Sequence, residues 1–268
     1  SNIVSYETIL LIYVLGEPMT KTNEICYSNG FNNEHESEAL KGALPIGQFN
    51  PQKCAYGLYA EQFSTTAFTA PRHENRRTWM YRIRPSISMG DYLPIDKGLL
   101  RTAPLIGPPC PPNVMRWSAQ PISDTPTDFI DGLTTVAANG DAKTQIGIGI
   151  HLYSANKGME NRYFCNADGE FLLVPQQGEF VARTELGLLS VKPGEIMVIP
   201  RGIKFQIEPL NEPIRGYICE NYGTPFTLPE RGPVGANGFA NQRDFHYPTA
   251  WFEDKEHACY LVTKFCGE

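Results

Sequence analysis

Between Gly132 and Tyr222 the chain repeats one pattern, an apolar run of three to nine residues followed by a turn signal, at a spacing of roughly 8 to 12 residues. The runs are Ile146 to Tyr153, Glu170 to Val174, Phe180 to Ala182, Leu188 to Val191, Ile196 to Ile199, Ile203 to Ile207 and Ile214 to Tyr222. Between them stand Asp168-Gly169, Gln177-Gly178, Pro193-Gly194 and Arg201-Gly202. Runs this short cannot build packed helices, and no helical periodicity of comparable length occurs elsewhere. The pattern predicts antiparallel strands closed into a sandwich or barrel. In the first run Ile146, Ile148, Ile150 and Leu152 alternate with Gly147, Gly149, His151 and Tyr153. Period-two alternation puts the four aliphatics on one face and His151 on the opposite, polar face.

The rest of the chain is punctuated differently. Gly and Pro number 24 and 22, and the prolines crowd the stretch from Pro94 to Pro126, which therefore cannot be a helix or a central strand. It reads as a wrapping loop or a connector. Residues 23 to about 75 are dense in turn formers and read as a long irregular arm. Trp79, Tyr81 and Ile83 alternate with Met80, Arg82 and Arg84 as in a strand, which Pro85 closes or places at an edge. The expected organisation is a segment 1–22, an arm with strands and a Pro-rich loop at 23–131, a barrel at 132–222, and a Gly/Pro-rich loop with a terminal strand near Tyr260 at 223–268.

Charge and cysteine usage exclude several functions. Lys and Arg total 23 against 29 Asp and Glu, a net charge of −6, which disfavours nucleic acid as a partner. The apolar stretch Ile9 to Leu15 is too short to span a bilayer and lacks a basic flank, so no membrane contact is expected. Seven cysteines, none in a C-x-x-C pair, point to reduced thiols and a cytoplasmic chain.

From Gly169 to Ile207 the layout resembles a cupin, with a second-motif skeleton in Gly194, Pro200-Arg201-Gly202 and Ile203-Lys204. Phe205 stands where that motif has its metal-binding histidine. The first motif, counted from Gly169, has Pro175 and Gln177 in place of its two histidines. Proline has no side-chain donor and an amide is a poor ligand for Fe or Zn, so the barrel is expected without metal ligands. His246, Glu253 and His257 have the residue types of a facial triad, but spacings of seven and four match no ligand pattern, and solvated surface residues are the better reading. Arg72, Arg76, Arg77, Arg82 and Arg84 could hold an anion, although salt bridges or subunit contacts fit them better. In the run Gly232 to Phe245 small residues allow close approach of a ligand or neighbouring domain, with Asn237, Asn241 and Arg243 as candidate substrate- or interface-facing groups. The same run could equally be a loop held by its own hydrogen bonds. No catalytic residue is assigned.

Several long strings then coincide with one family. Asn50 to Gln62, Ala67 to Arg72, Asn75 to Ile83, Met159 to Arg162, Asp168 to Gln176, Gly235 to Asn241 and Ala250 to Asp254 together resemble homogentisate 1,2-dioxygenase, from about Tyr27 onwards. The resemblance implies an all-β, cupin-like jelly-roll barrel with a long irregular N-terminal arm. It implies a non-haem Fe(II) enzyme that opens homogentisate with O2 to give maleylacetoacetate in tyrosine and phenylalanine breakdown, assembled as a trimer or hexamer. The family's iron ligands and base lie in a C-terminal portion with no counterpart here. This chain is therefore expected to be the N-terminal portion alone, a scaffold binding no iron and inactive by itself, with 1–22 a tag remnant or divergent exon. The alternative is a stand-alone cupin-like module binding a small aromatic acid.

Overall fold

A computed structural model describes residues 25–29, 35–47, 51, 53–107, 111–116, 118–230, 232–237, 240–253 and 257–268. The apolar stretch Ile9 to Leu15 and the whole of 1–22 lie outside them. The described chain contains fourteen strands and four short 3-10 turns. None of its helices is long and apolar enough to cross a membrane.

The chain divides into two compact units, one comprising residues up to Tyr92 with 184–189 and 227–257, the other 93–183, 190–226 and 258–268. In the first, β1 (Tyr27–Asn29) pairs antiparallel with β13 (His246–Pro248), and β2 (Tyr59–Ser64) with β3 (Arg77–Arg82). The β3 strand stops short of Pro85, as the sequence predicts. Its core is Ala43, Leu58 and Tyr81, against which Leu44, Trp79 and Phe252 pack.

Ten further strands, β4 (Leu133–Asp141), β5 (Ile146–Ala155), β6 (Arg162–Asn166), β7 (Glu170–Gln177), β8 (Phe180–Thr184), β9 (Gly187–Val191), β10 (Met197–Ile199), β11 (Lys204–Pro209), β12 (Ile214–Asn221) and β14 (Tyr260–Lys264), belong to the second unit except for Thr184 and residues 187–189, which fall in the first. They form two five-stranded sheets, ordered β10-β7-β12-β5-β4 and β14-β6-β11-β8-β9. Taking β5 to β12 as eight successive strands, each sheet alternates between the two halves of the run, the strand order of a jelly roll. The fold is all-β and cupin-like. β4 lengthens the first sheet, and β14 adds to the second by a parallel pairing with β6.

Local chemistry explains the framework. Gly178, Gly194 and Gly202, at three of the four expected turns, hold φ of 76, 92 and 82°, where a side chain would be strained. Pro175 lies inside the central strand β7, a position proline ordinarily avoids. The β12 pairing slips by one residue there, between Arg215 and Gly216, so the bulge absorbs it. The described residues of the Pro-rich stretch 94–126 form no helix and no extended strand. Leu99 forms a parallel bridge to Thr134, and the Ala142 amide donates to the Ala103 carbonyl.

One expectation is reversed. In β5 the residues that turn inward are Gly149, His151 and Tyr153, while Ile146 and Ile148 are exposed. Alternation fixes which residues share a face but not which face is covered. Here the side bearing small, aromatic and charged-partner groups meets the opposite sheet.

Candidate functional site

The inward positions of the barrel divide into an apolar part and a charged part. Phe205, on β11, is fully buried and packs edge-on against Phe129 and Phe164, with ring centroids 5.9 and 5.7 Å away. Phe164 in turn stacks on Phe171 at 6.0 Å. Such contacts are each worth about 1 kcal/mol beyond the area they bury. The residue at the second cupin motif's histidine position is thus part of an aromatic core. Pro175 is buried and Gln177 half-buried on β7.

The charged part lies between the two sheets. His151 from β5 and Glu220 from β12 are completely buried, with Asn166, Asp168 and Lys264 nearly so. Glu220 Oε2 accepts from His151 Nε2 at 2.9 Å, and its Oε1 accepts from Asn166 Nδ2 at 2.6 Å and Lys264 Nζ at 2.7 Å. Lys264 Nζ also donates to Asp168 Oδ2 at 2.8 Å. Asp168 Oδ1 takes the Cys266 amide at 2.6 Å, and Oδ2 takes the Gly267 amide at 3.1 Å. On the other side of the ring, His151 Nδ1 lies 2.9 Å from Thr135 Oγ1, the residue directly opposite it on β4. Thr135 is held by both backbone groups of Arg101. Gly149 makes the room, because a Cβ there would stand 2.8 Å from His151 Nε2 and 3.1 Å from Glu220 Oε2.

The electrostatics follow from these contacts. Burial pushes the Glu220 carboxyl up, but the hydrogen bond from His151 and the charge of Lys264 outweigh it and hold the group below the usual carboxylate range. Burial, then the Glu220 charge, raises the Tyr222 phenol, whose ring lies 5.4 Å from Lys264 Nζ and whose oxygen accepts from the Ala103 amide. The cluster does not fit a metal ion. All four carboxylate oxygens of Asp168 and Glu220 already accept hydrogen bonds, and an ammonium sits between the two groups. Among the described residues no group of three His, Cys, Asp or Glu is placed to hold a metal.

The candidates picked from sequence sit elsewhere. Asn237 closes the 3-10 stretch Gly232–Asn237. The Asn241 backbone is pinned to Asp244 in both directions, at 2.8 and 3.0 Å, and Arg243 is exposed. His246 stacks on Tyr27 with ring centroids 4.8 Å apart. Arg82 binds Glu61 at 3.0 Å and Glu185 at 2.5 Å, and Arg77 lies over the Phe68 ring, so these two arginines do structural work. At the start of β6, Arg162 grips Asp128 at 2.7 Å and Asp131 at 2.8 Å, and the Asp131 hydrogen bond chiefly raises its guanidinium pKa. Sequence reasoning placed His151 on the polar face of its strand but missed Glu220, Asp168 and Lys264 as its companions. A charged residue inside an apolar run, as Glu220 is at the end of Ile214 to Tyr222, was the available signal.

Residues 26–268 match the family described as homogentisate 1,2-dioxygenase N-terminal. Among solved structures, the chain is similar to a cupin-2 domain containing protein from Shewanella frigidimarina, at 17% identity over 33% of this chain and 78% of that chain, TM-score 0.27. It is also similar to the cupin domain of Schizosaccharomyces pombe Cnp3, at 14% identity over 34% and 66%, TM-score 0.27. A conserved protein of unknown function from Streptococcus pyogenes matches at 16% identity over 43% and 94%, TM-score 0.29.

Proposed function

Since the chain belongs to the homogentisate 1,2-dioxygenase N-terminal family, we propose that it serves as the supporting, non-catalytic portion of an enzyme that uses Fe(II) and O2 to open the ring of homogentisate to maleylacetoacetate. The observation that carries this reading is Phe205. The position at which a cupin barrel presents a ligand is filled by a buried phenyl ring wedged between Phe129 and Phe164. A phenyl ring offers no lone pair to a metal. The barrel so built can bury a core, hold a shape and offer surface to the rest of an assembly, but the side chains within it do not supply a metal centre.

Exposed apolar residues support a role in assembly. In the second unit the wrapping loop turns Leu93, Ile95, Leu99, Ile106 and Val114 to the outside. A run of that kind is characteristic of a surface covered by protein. In the proposed enzyme the cover is the remainder of the catalytic protein or further subunits of a trimer or hexamer.

The test is oxygen uptake by the purified 268-residue chain with homogentisate and added Fe(II), paired with calorimetric titration of homogentisate. The expected result is no uptake above buffer and no saturable heat. Stoichiometric ring cleavage would overturn the scaffold reading. Saturable heat without turnover would overturn it in favour of a binding module for aromatic acids.

A further inference from the structure

Two carboxylates, Asp168 and Glu220, lie side by side in the barrel interior, and neither has appreciable access to water. Buried like charges at such a separation drive one another to protonate unless a cation lies between them. The cation here is covalent. Lys264 Nζ is 2.8 Å from Asp168 Oδ2 and 2.7 Å from Glu220 Oε1, in the bridging position that a metal ion takes between two carboxylates. His151 on the far oxygen of Glu220 and Asn166 Nδ2 on the near one hold that carboxylate in place beside the ammonium.

The lysine arrives on β14, which among the described strands is at the edge of its sheet, beside β6. Its pairing places Lys264 opposite Asn166, the last residue of β6, so the side chain enters the barrel where the β6–β7 turn carries Asp168. Asp168 then gathers the Cys266 and Gly267 amides as well. One carboxylate thus takes three donors from four consecutive residues.

We infer that Lys264 is the resident cation of this barrel, an ammonium that bridges the buried carboxylates Asp168 and Glu220 and thereby seats β14 on the jelly roll. The inference rests on these contacts and is independent of the reading drawn from the family. It makes Lys264 a positioning residue for the 260–267 segment. It also defines a latent site, opened when the lysine side chain is removed, whose ligand class is a primary ammonium held between two carboxylates.

The experiment uses the full chain and two sets of variants, followed by thermal melting and by hydrogen exchange of residues 260–267. Lys264→Met keeps the length of the side chain and removes its charge. It is expected to lower the melting temperature by roughly 10 °C and to strip exchange protection from 260–267 first, because it leaves two buried carboxylates uncompensated. Adding Asp168→Asn and Glu220→Gln removes the charges that need the cation, and the triple variant is expected to recover at least half of that loss, or to fold where Lys264→Met does not. In the second set, Lys264→Ala opens the site. Millimolar ethylammonium is expected to raise its melting temperature, while tetramethylammonium, too large to enter, leaves it unchanged, as both leave the wild-type chain. A triple variant no better than Lys264→Met overturns the inference, and so does a Lys264→Ala chain that responds alike to both cations or to neither.

Discussion

Glu220 is the residue on which the buried cluster turns, and Glu220→Gln measures it. In the native chain three donors from three different elements converge on its two oxygens, at 2.9, 2.6 and 2.7 Å. Glutamine keeps the shape and offers one oxygen, but its amide nitrogen must face at least one donor. The substitution therefore removes one or two charge-assisted hydrogen bonds, each worth about 2 kcal/mol. It also leaves the Lys264 charge balanced by Asp168 alone. A loss of about 3–5 kcal/mol at neutral pH is expected, the cost of breaking a buried pair. For a chain of this size that corresponds to a fall of roughly 10 °C in melting temperature. The pH dependence carries the mechanism. The folded state holds the Glu220 carboxyl below its ordinary value, so the unfolded chain binds its proton first as pH falls. Its contribution is complete above the unfolded value of about 4.3 and disappears as pH drops through the lower folded value. Melting of both proteins from pH 7 to pH 3, followed by far-ultraviolet circular dichroism, should show a wide gap at pH 7 that narrows below about pH 4. A gap under about 1 kcal/mol at neutral pH, or one that stays constant into acid, would refute the cooperative charged network.

Other expectations test neighbouring parts of the fold. The Tyr153 hydroxyl is fully buried without a hydrogen-bond partner, and burial raises its pKa, so Tyr153→Phe is expected to be neutral or to stabilise by about 1 kcal/mol in urea melts; a loss above that would reveal a hidden partner. Phe205→His puts an imidazole into the aromatic cluster and should cost about 3 kcal/mol without gaining iron by metal analysis, because Pro175 and Gln177 supply no ligands. Replacing the exposed Ile106 and Val114 together with lysine should leave the melting temperature within a degree or two while lowering the scattering mass of concentrated protein; unchanged scattering would mean that the wrapping loop does not mediate association. Gly149→Ala drives a methyl group against His151 and Glu220 and should be destabilising by about 2 kcal/mol, read from the same melts.

The strands and turns of the barrel were legible from period-two runs and from Gly178, Gly194 and Gly202, because strand formation and turn geometry are decided by residues close in sequence. Phe205 could likewise be read as apolar in advance, and its burial in an aromatic cluster follows from its place on β11. The charged cluster was not legible in that way. Its members come from positions 151, 166, 168, 220 and 264, and no local pattern links them. The alternation in β5 says that His151 and Ile148 face opposite sides but is symmetric with respect to inside and outside. That symmetry was broken by the jelly roll itself. Laying the β14 edge beside β6 delivered one ammonium to two buried carboxylates, and their mutual neutralisation turned a face that looks polar in sequence into the interior of the protein.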